Sequence, residues 1–254
     1  MSYSIGEFAQ LCGINATTLR AWQRRYGLLK PLRTEGGHRQ YNDDDVTQAL
    51  KILDWIKKGV PVSQVRPLLE RPTKRQTNNW QALQETMLQR LQDGKIESLR
   101  QLIFNSGRDY PRPELVANVL RPLRSRLAAN TASMMTLREV LDGIIIGYTS
   151  FCLDGDRKAP GENYVLAGWQ LADTCEVWLE ALKRSGQGNR ADVLPASPGI
   201  LAPALFPQRH WVLVTTGKLT QARQKDLEKW REQVASWKSF CCKIPRRSGV
   251  LRQR

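Results

Sequence analysis

Arg20, Arg24, Arg25, Lys30, Arg33 and Arg39 fall within twenty residues near the N-terminus of a 254-residue chain. Guanidinium groups fork onto phosphate oxygens and onto the O6 and N7 edge of guanine, so a cluster of them is chemistry suited to a nucleic acid. A single arginine carries no such meaning, because a solvated surface arginine is the usual case. The spacing adds information. Thr17, Arg20 and Arg24 share one face of a helix, whereas Leu19, Trp22 and Tyr26 share another that suits a core. Ala16, Thr17 and Thr18 open that helix, where residues approach base edges in a major groove. Arg33, Thr34, His38 and Arg39 flank Glu35-Gly36-Gly37, whose glycines permit a tight turn and close approach to phosphates or a minor groove. Two readings of His38 stay open: phosphate contact, or packing on Tyr41.

Local signals supply the elements that must hold these groups. Ser4 and Glu7 form a capping-box pair ahead of Ile5, Phe8, Ala9 and Cys12 at helical spacing, and Gly13 ends that helix. Asn15 caps a second helix from Ala16 to about Tyr26, closed by Gly27, in the order of a helix-turn-helix. Leu32-Arg33-Thr34 folds against His38-Arg39-Gln40 as a hairpin, the candidate wing. Asn42 with Asp43, Asp44 and Asp45 starts a helix running to Gly59, and a short helix over Ser63 to Glu70 completes a unit of residues 1–71.

Residues 72–79 read as a polar linker. Residues 80–158 carry four apolar stripes at helical period, beginning at Trp80, Ile96, Leu115 and Leu137, which predict a four-helix bundle. The alternative is that the first stripe forms an antiparallel coiled coil with a partner subunit. From 159 to 240 the pattern alternates. Strands are expected at Tyr164 to Ala167, near Asp192 to Leu194, and at Trp211 to Val214. Helices are expected from Asp173 onward and around Leu227, Trp230 and Val234. That alternation predicts a small α/β unit with a largely parallel sheet. From Trp237 to Arg254 there are six basic residues and no acid, so a flexible basic tail is expected, with 241–254 as its core. It serves either as a solubilising end or as a DNA-contacting arm.

Composition narrows the classes. Lys plus Arg number 39 against 24 Asp plus Glu, and the resulting +15 favours a polyanionic partner. No apolar run approaches the roughly 18 residues that span a bilayer, and the N-terminus lacks an export signal, so a cytoplasmic protein without membrane contact is expected. Cys12, Cys152, Cys175, Cys241 and Cys242 are an odd number without C-x-x-C spacing, and His38 and His210 are the only histidines. Neither a disulfide framework nor a metal centre follows. No nucleophile–histidine pattern or glycine-rich phosphate loop is present, and Glu139 and Asp142 are explained by a cap, a salt bridge or an exposed helix face, so an enzyme is not expected.

Ser4 to Glu7, Thr18 to Leu28 and Arg33 to Tyr41 closely resemble the MerR family of regulators, in the branch that holds a curli regulator and cobalamin-dependent light-sensing repressors. Gln23 and Gln40 depart from that branch, which has Glu and Leu there. The resemblance covers about 70 residues. It implies a homodimer on a roughly palindromic promoter operator, contact with RNA polymerase in the nucleoid, and DNA contacts at Thr17, Arg20, Arg24, Arg33, His38 and Arg39. Activation of curli and biofilm-matrix genes is the specific function it implies, with a protein or small-molecule effector acting through the C-terminal region. In the cobalamin sensors a four-helix bundle and a Rossmann-like domain hold the cofactor, and a histidine after the first strand ligates cobalt. Here that loop is Gly168 to Asp173 with no histidine, so no cofactor is expected. A cobalamin sensor and a metal-responsive regulator using Cys152, Cys175 or Cys241-Cys242 are the alternatives.

Overall fold

The computed structural model describes residues 2–70, 79–129, 131–169, 171–196, 201–216, 220–233 and 237–242. The first unit contains β1 (Ser2–Ser4), α1 (Ile5–Cys12), α2 (Ala16–Tyr26), β2 (Leu32–Arg33), β3 (Arg39–Asn42), α3 (Asp43–Lys57) and α4 (Val62–Glu70). The Ser4 hydroxyl accepts the Glu7 N–H at 3.4 Å while the Glu7 carboxylate accepts the Ser4 N–H at 2.8 Å, so α1 starts on a reciprocal cap. Gly13 and Gly27 end α1 and α2 at φ of 65° and 62°, a left-handed geometry that costs a side-chain-bearing residue about 1–2 kcal/mol. The three strands lie in the order β1-β3-β2. Strand β1 was not anticipated, since Ser-Tyr-Ser offers no apolar alternation. Phe8 stacks on Tyr41 with ring centroids 4.1 Å apart, and Leu19, Trp22, Ile52 and Ile56 close the core beneath the helices.

The second unit is helical: α5 (Asn79–Gln92), α6 (Ile96–Asp109), α7 (Arg112–Leu115), a π-turn (Val116–Leu120), α8 (Arg121–Arg126) and α9 (Ala132–Asp156). The third stripe is thus one helix with a wide turn inside it. Pro122 has no N–H to give the Asn118 carbonyl, and Gln84 donates to that carbonyl instead at 2.7 Å. Trp80, Met87 and Leu91 of α5 are buried within the chain itself, which removes the apolar stripe that a coiled coil with a partner would require.

The third unit contains β4 (Asn163–Gly168), α10 (Cys175–Gly186), β5 (Arg190–Leu194), a short 3-10 turn (Pro203–Leu205), β6 (His210–Thr216), α11 (Gln221–Gln233) and β7 (Trp237–Cys242). Its strands are all parallel, in the order β5-β4-β6-β7, with Val165 opposite both Asp192 and Trp211. Apolar clusters cover both faces, one including Leu166, Val177 and Val212 and the other including Trp169, Trp211 and Trp230. Parallel sheets require such two-sided cover. Two expectations are corrected. Helix α10 starts at Cys175 rather than Asp173, whose carboxylate instead meets Arg124 and Arg138. Residues 237–242, within the segment expected as a basic tail, form the fourth strand and include Cys241 and Cys242. The remainder of the tail (243–254), Arg71, residues 72–78 of the expected linker and Val234 lie outside the described residues, while Asn79, expected as the last linker residue, begins α5.

The units share one core. Buried side chains connect Phe8 and Trp22 through Trp80, Met87 and Leu120 to Leu179 and Leu182 of α10. Polar groups cross the same boundary: Trp80 Nε1 donates to Lys57 O at 3.1 Å, Tyr110 Oη to Gly59 O at 3.2 Å, and Tyr26 Oη to Asp109 Oδ1 at 2.9 Å. Asn15 Nδ2 donates to Ser185 O at 3.1 Å in a buried contact. Arg124, 2% exposed, binds Asp142 through two nitrogens at 2.6 and 2.9 Å, Glu176 at 2.9 Å and Asp173 at 2.6 Å. This cluster fastens α8 and α9 to the start of α10.

Candidate nucleic-acid interface

Asn15 both starts and anchors α2. Its Oδ1 accepts the Thr17 N–H at 2.8 Å, while its Nδ2 reaches Ser185, so the cap of this helix is tied to the far end of α10. Leu19 and Trp22 are buried, which turns the opposite side outward: Thr17, Arg20, Arg24 and Arg25 are exposed and Thr18 is half-buried. Tyr26, expected in the core, is half-buried and uses its hydroxyl on Asp109. Burial raises its pKa, and the bond to Asp109 adds to the effect.

The wing forms as expected, with Leu32 opposite Gln40 and Arg33 opposite Arg39. Thr34 N–H donates to His38 O at 2.9 Å, Gly37 N–H to Thr34 O at 2.8 Å, and His38 N–H to the Thr34 hydroxyl oxygen at 3.2 Å. Thr34 therefore holds the turn as well as lying on its surface. Arg33, Thr34 and His38 are exposed, and Arg39 is half-buried. Tyr41 stacks on Phe8 at 1% exposure, whereas His38 is exposed just ahead of β3. Wing and helix are bridged: Arg39 Nε donates to Gln23 Oε1 at 3.0 Å and Gln23 Nε2 donates to Tyr41 Oη at 2.6 Å. Burial raises the Tyr41 pKa, opposed by the Gln23 bond and by the charges of Arg39 and Arg20.

Most arginines elsewhere in the described residues are paired with acids, Arg90, Arg108 and Arg190 being exceptions that bond neutral oxygens. Arg112, Arg121, Arg124, Arg126, Arg138 and Arg184 each meet a carboxylate. Arg20, Arg24, Arg25, Arg33 and Arg39 make no ion pair among the described residues. The register also sets Arg33 and Arg39 side by side, an arrangement that repels in isolation and is relieved by an anion between or above them. All nine residues singled out from the sequence thus lie on α2 and the wing. Sequence reasoning noted Asn15 only as a cap and Gln23 only as a departure; neither tie to a distant element has a local signature.

The cysteine alternatives find little support. Cys12, Cys152 and Cys175 are buried, and burial raises the pKa of each thiol, which opposes the thiolate that metals require. Among the described residues no group of His, Cys, Asp and Glu is arranged to hold a metal ion. No helix there is long and apolar enough to cross a membrane.

Comparison with known proteins extends the picture over the chain. Residues 3–71 match the family model of MerR HTH family regulatory proteins. Residues 80–154 match the helical domain of transcriptional regulator MlrA, and residues 161–236 match its C-terminal domain. The HTH-type transcriptional regulator MlrA of Escherichia coli is 45% identical over 231 residues, which cover 91% of this chain and 95% of that protein. The MlrA regulator of Salmonella typhimurium is 44% identical over the same span. The transcriptional repressor CarH of Myxococcus xanthus is 40% identical over 68 residues, 27% of this chain and 23% of CarH.

Proposed function

We propose a specific role for this chain, which belongs to the MerR family of DNA-binding transcriptional regulators and, within it, to the MlrA group: it activates genes for curli and biofilm matrix from their promoters. The chain is a transcription regulator and not an enzyme. In this reading it acts in the cytoplasm, at the nucleoid, as a homodimer on a near-palindromic operator, and engages RNA polymerase there. Thr17, Thr18, Arg20 and Arg24 enter the major groove from α2, Arg25 lies toward the flanking phosphates, and Arg33, Thr34, His38 and Arg39 reach outward from the wing. The observation that carries it is the set of five arginines without carboxylate partners on one helix-and-wing surface. Mapping of bound sites across the genome should find paired half-sites upstream of curli and matrix genes, with transcription of those genes falling when the regulator is deleted. Binding elsewhere only, or transcription that rises on deletion, would refute the proposed role.

We read the four helical segments as a bundle and the parallel sheet as a Rossmann-like domain that together receive an effector or a partner protein. A cavity of about 360 Å³ supports that reading; it lies between α9 and the loop after β4, where Arg138, Asp142, Asp173 and Cys175 line it. The strand order reverses at β4, and ligands of open parallel sheets sit beyond the strand ends at such a point.

Cobalamin does not fit the residues present. Trp169 fills the start of the loop after β4 at 1% exposure, its ring 5.0 Å from that of Trp230. His210 pairs with Tyr164 at the opposite end of the strands, and His38 is on the wing. We therefore propose a regulator without cobalamin. Purified protein mixed with cobalamin should elute from gel filtration free of visible absorbance; co-elution of the colour would overturn this.

A further inference from the structure

Arg39, half-buried, holds an unusual place among the cations of this surface, because among the described residues it alone of them joins the wing to α2 through a side-chain hydrogen bond. Its Nε donates to an amide oxygen, and the amide's own nitrogen donates to a tyrosine hydroxyl that is buried and stacked on Phe8. The chain of contacts therefore ends in the core. A glutamine is suited to the middle position since it carries both an acceptor and a donor. A carboxylate there also accepts from Arg39 but cancels its charge, and an alkyl side chain does neither.

Charge around the bridge points the same way. Arg39 makes no ion pair among the described residues, and Arg33 stands opposite it across the wing. Arg20 and Asp45 are the charged groups near Tyr41, and the Asp45 carboxylate is engaged as acceptor of the Asn42 N–H at the start of α3. With Nε bonded to the neutral Gln23 amide, the guanidinium keeps its full charge and its remaining N–H groups.

We propose that Gln23 is a positioning residue of the DNA interface: its amide sets Arg39 relative to the recognition helix while leaving the arginine's charge free for a phosphate. The inference rests on the DNA-facing surface described above. It adds that this position tunes affinity and salt response without itself touching DNA.

The test measures binding of a mixed-sequence DNA duplex across a salt series, for which sequence-independent phosphate contacts suffice. In Gln23→Glu the bridge persists but one net positive charge is lost. Affinity at ~50 mM salt should fall roughly tenfold, and the slope of log affinity against log salt should flatten by about 0.9 for each subunit bound. Raising salt from ~50 to ~200 mM then weakens wild type about 3.5-fold more than the variant for each subunit bound. Gln23→Leu loses the tether but no charge, so affinity should fall several-fold with the slope retained. Thermal unfolding of both variants checks that the fold survives. A wild-type slope in Gln23→Glu overturns the charge argument, and wild-type affinity in Gln23→Leu overturns the positioning argument. Failure of the wild type itself to bind duplex DNA is a different result, and it removes the interface reading on which both stand.

Discussion

Joint replacement of Arg20, Arg24 and Arg33 by alanine should weaken binding to a promoter operator by at least about a hundredfold at ~0.15 M salt. The three side chains are exposed and make no ion pair among the described residues, so their removal leaves packing intact. What is lost is three phosphate or base contacts and the counterions that such contacts release. For each subunit bound, the slope of log affinity against log salt should flatten by up to about 2.7, the limit in which all three meet phosphates, which separates lost contacts from a damaged fold. Fluorescence anisotropy over a salt series, with circular dichroism of the free protein, measures both. An unchanged slope would mean that DNA meets some other surface.

The second large effect concerns stability. Arg124→Leu should lower the unfolding free energy by about 3–5 kcal/mol, a substantial part of what holds a domain of ordinary stability. Asp142, Asp173 and Glu176 converge on this one guanidinium. Burial by itself lowers the pKa of Arg124, but hydrogen bonds and charge from Asp142 and its neighbours outweigh that and raise it, so the wild-type cluster keeps its cation at every accessible pH. Leucine leaves Asp142, Asp173 and Glu176 facing one another with only Arg138 and Arg121 at the edges of the cluster, and crowded like charges in a buried site favour uptake of a proton on folding. A raised folded pKa gives stability that is present at low pH and lost as pH rises, so the deficit of the variant should shrink toward acid pH. Urea denaturation at neutral and mildly acidic pH reads both predictions. A loss under ~1 kcal/mol, or one that grows in acid, contradicts the assigned role of the cluster.

How much of this was legible beforehand depends on the range of the interaction. Ser4 with Glu7 and Asn42 with Asp45 are three residues apart, and both form the reciprocal caps that their types suggest. Thr17, Arg20 and Arg24 were placed on an outward face by helical period alone, and the two wing glycines set the hairpin. Strands β4 and β6 were visible as short apolar runs. Strand β7 was not, because Trp237–Cys242 lies in a stretch whose charge suggested a solvated tail, and its pairing depends on β6. The π-turn was equally hidden. Pro122 signals a missing donor, but only the approach of Gln84 shows how the vacant carbonyl is satisfied. The candidate site divides similarly: its arginines are local facts, while the ties of Gln23 to Arg39 and of Asn15 to Ser185 are properties of the assembled fold.

The Asn15–Ser185 bond bears on whether the DNA-reading head is a portable module. Residues 1–70 grafted onto another sensor would keep their caps, wing and arginines, yet the Asn15 amide would lose the acceptor that meets it from 170 positions away. Where the new partner covers that amide without offering an acceptor, the cost is about 1–3 kcal/mol, and it falls at the first turn of the helix proposed to enter the groove. The head and the C-terminal units of this regulator are therefore matched parts, and a chimera that exchanges one must carry over the seam between them.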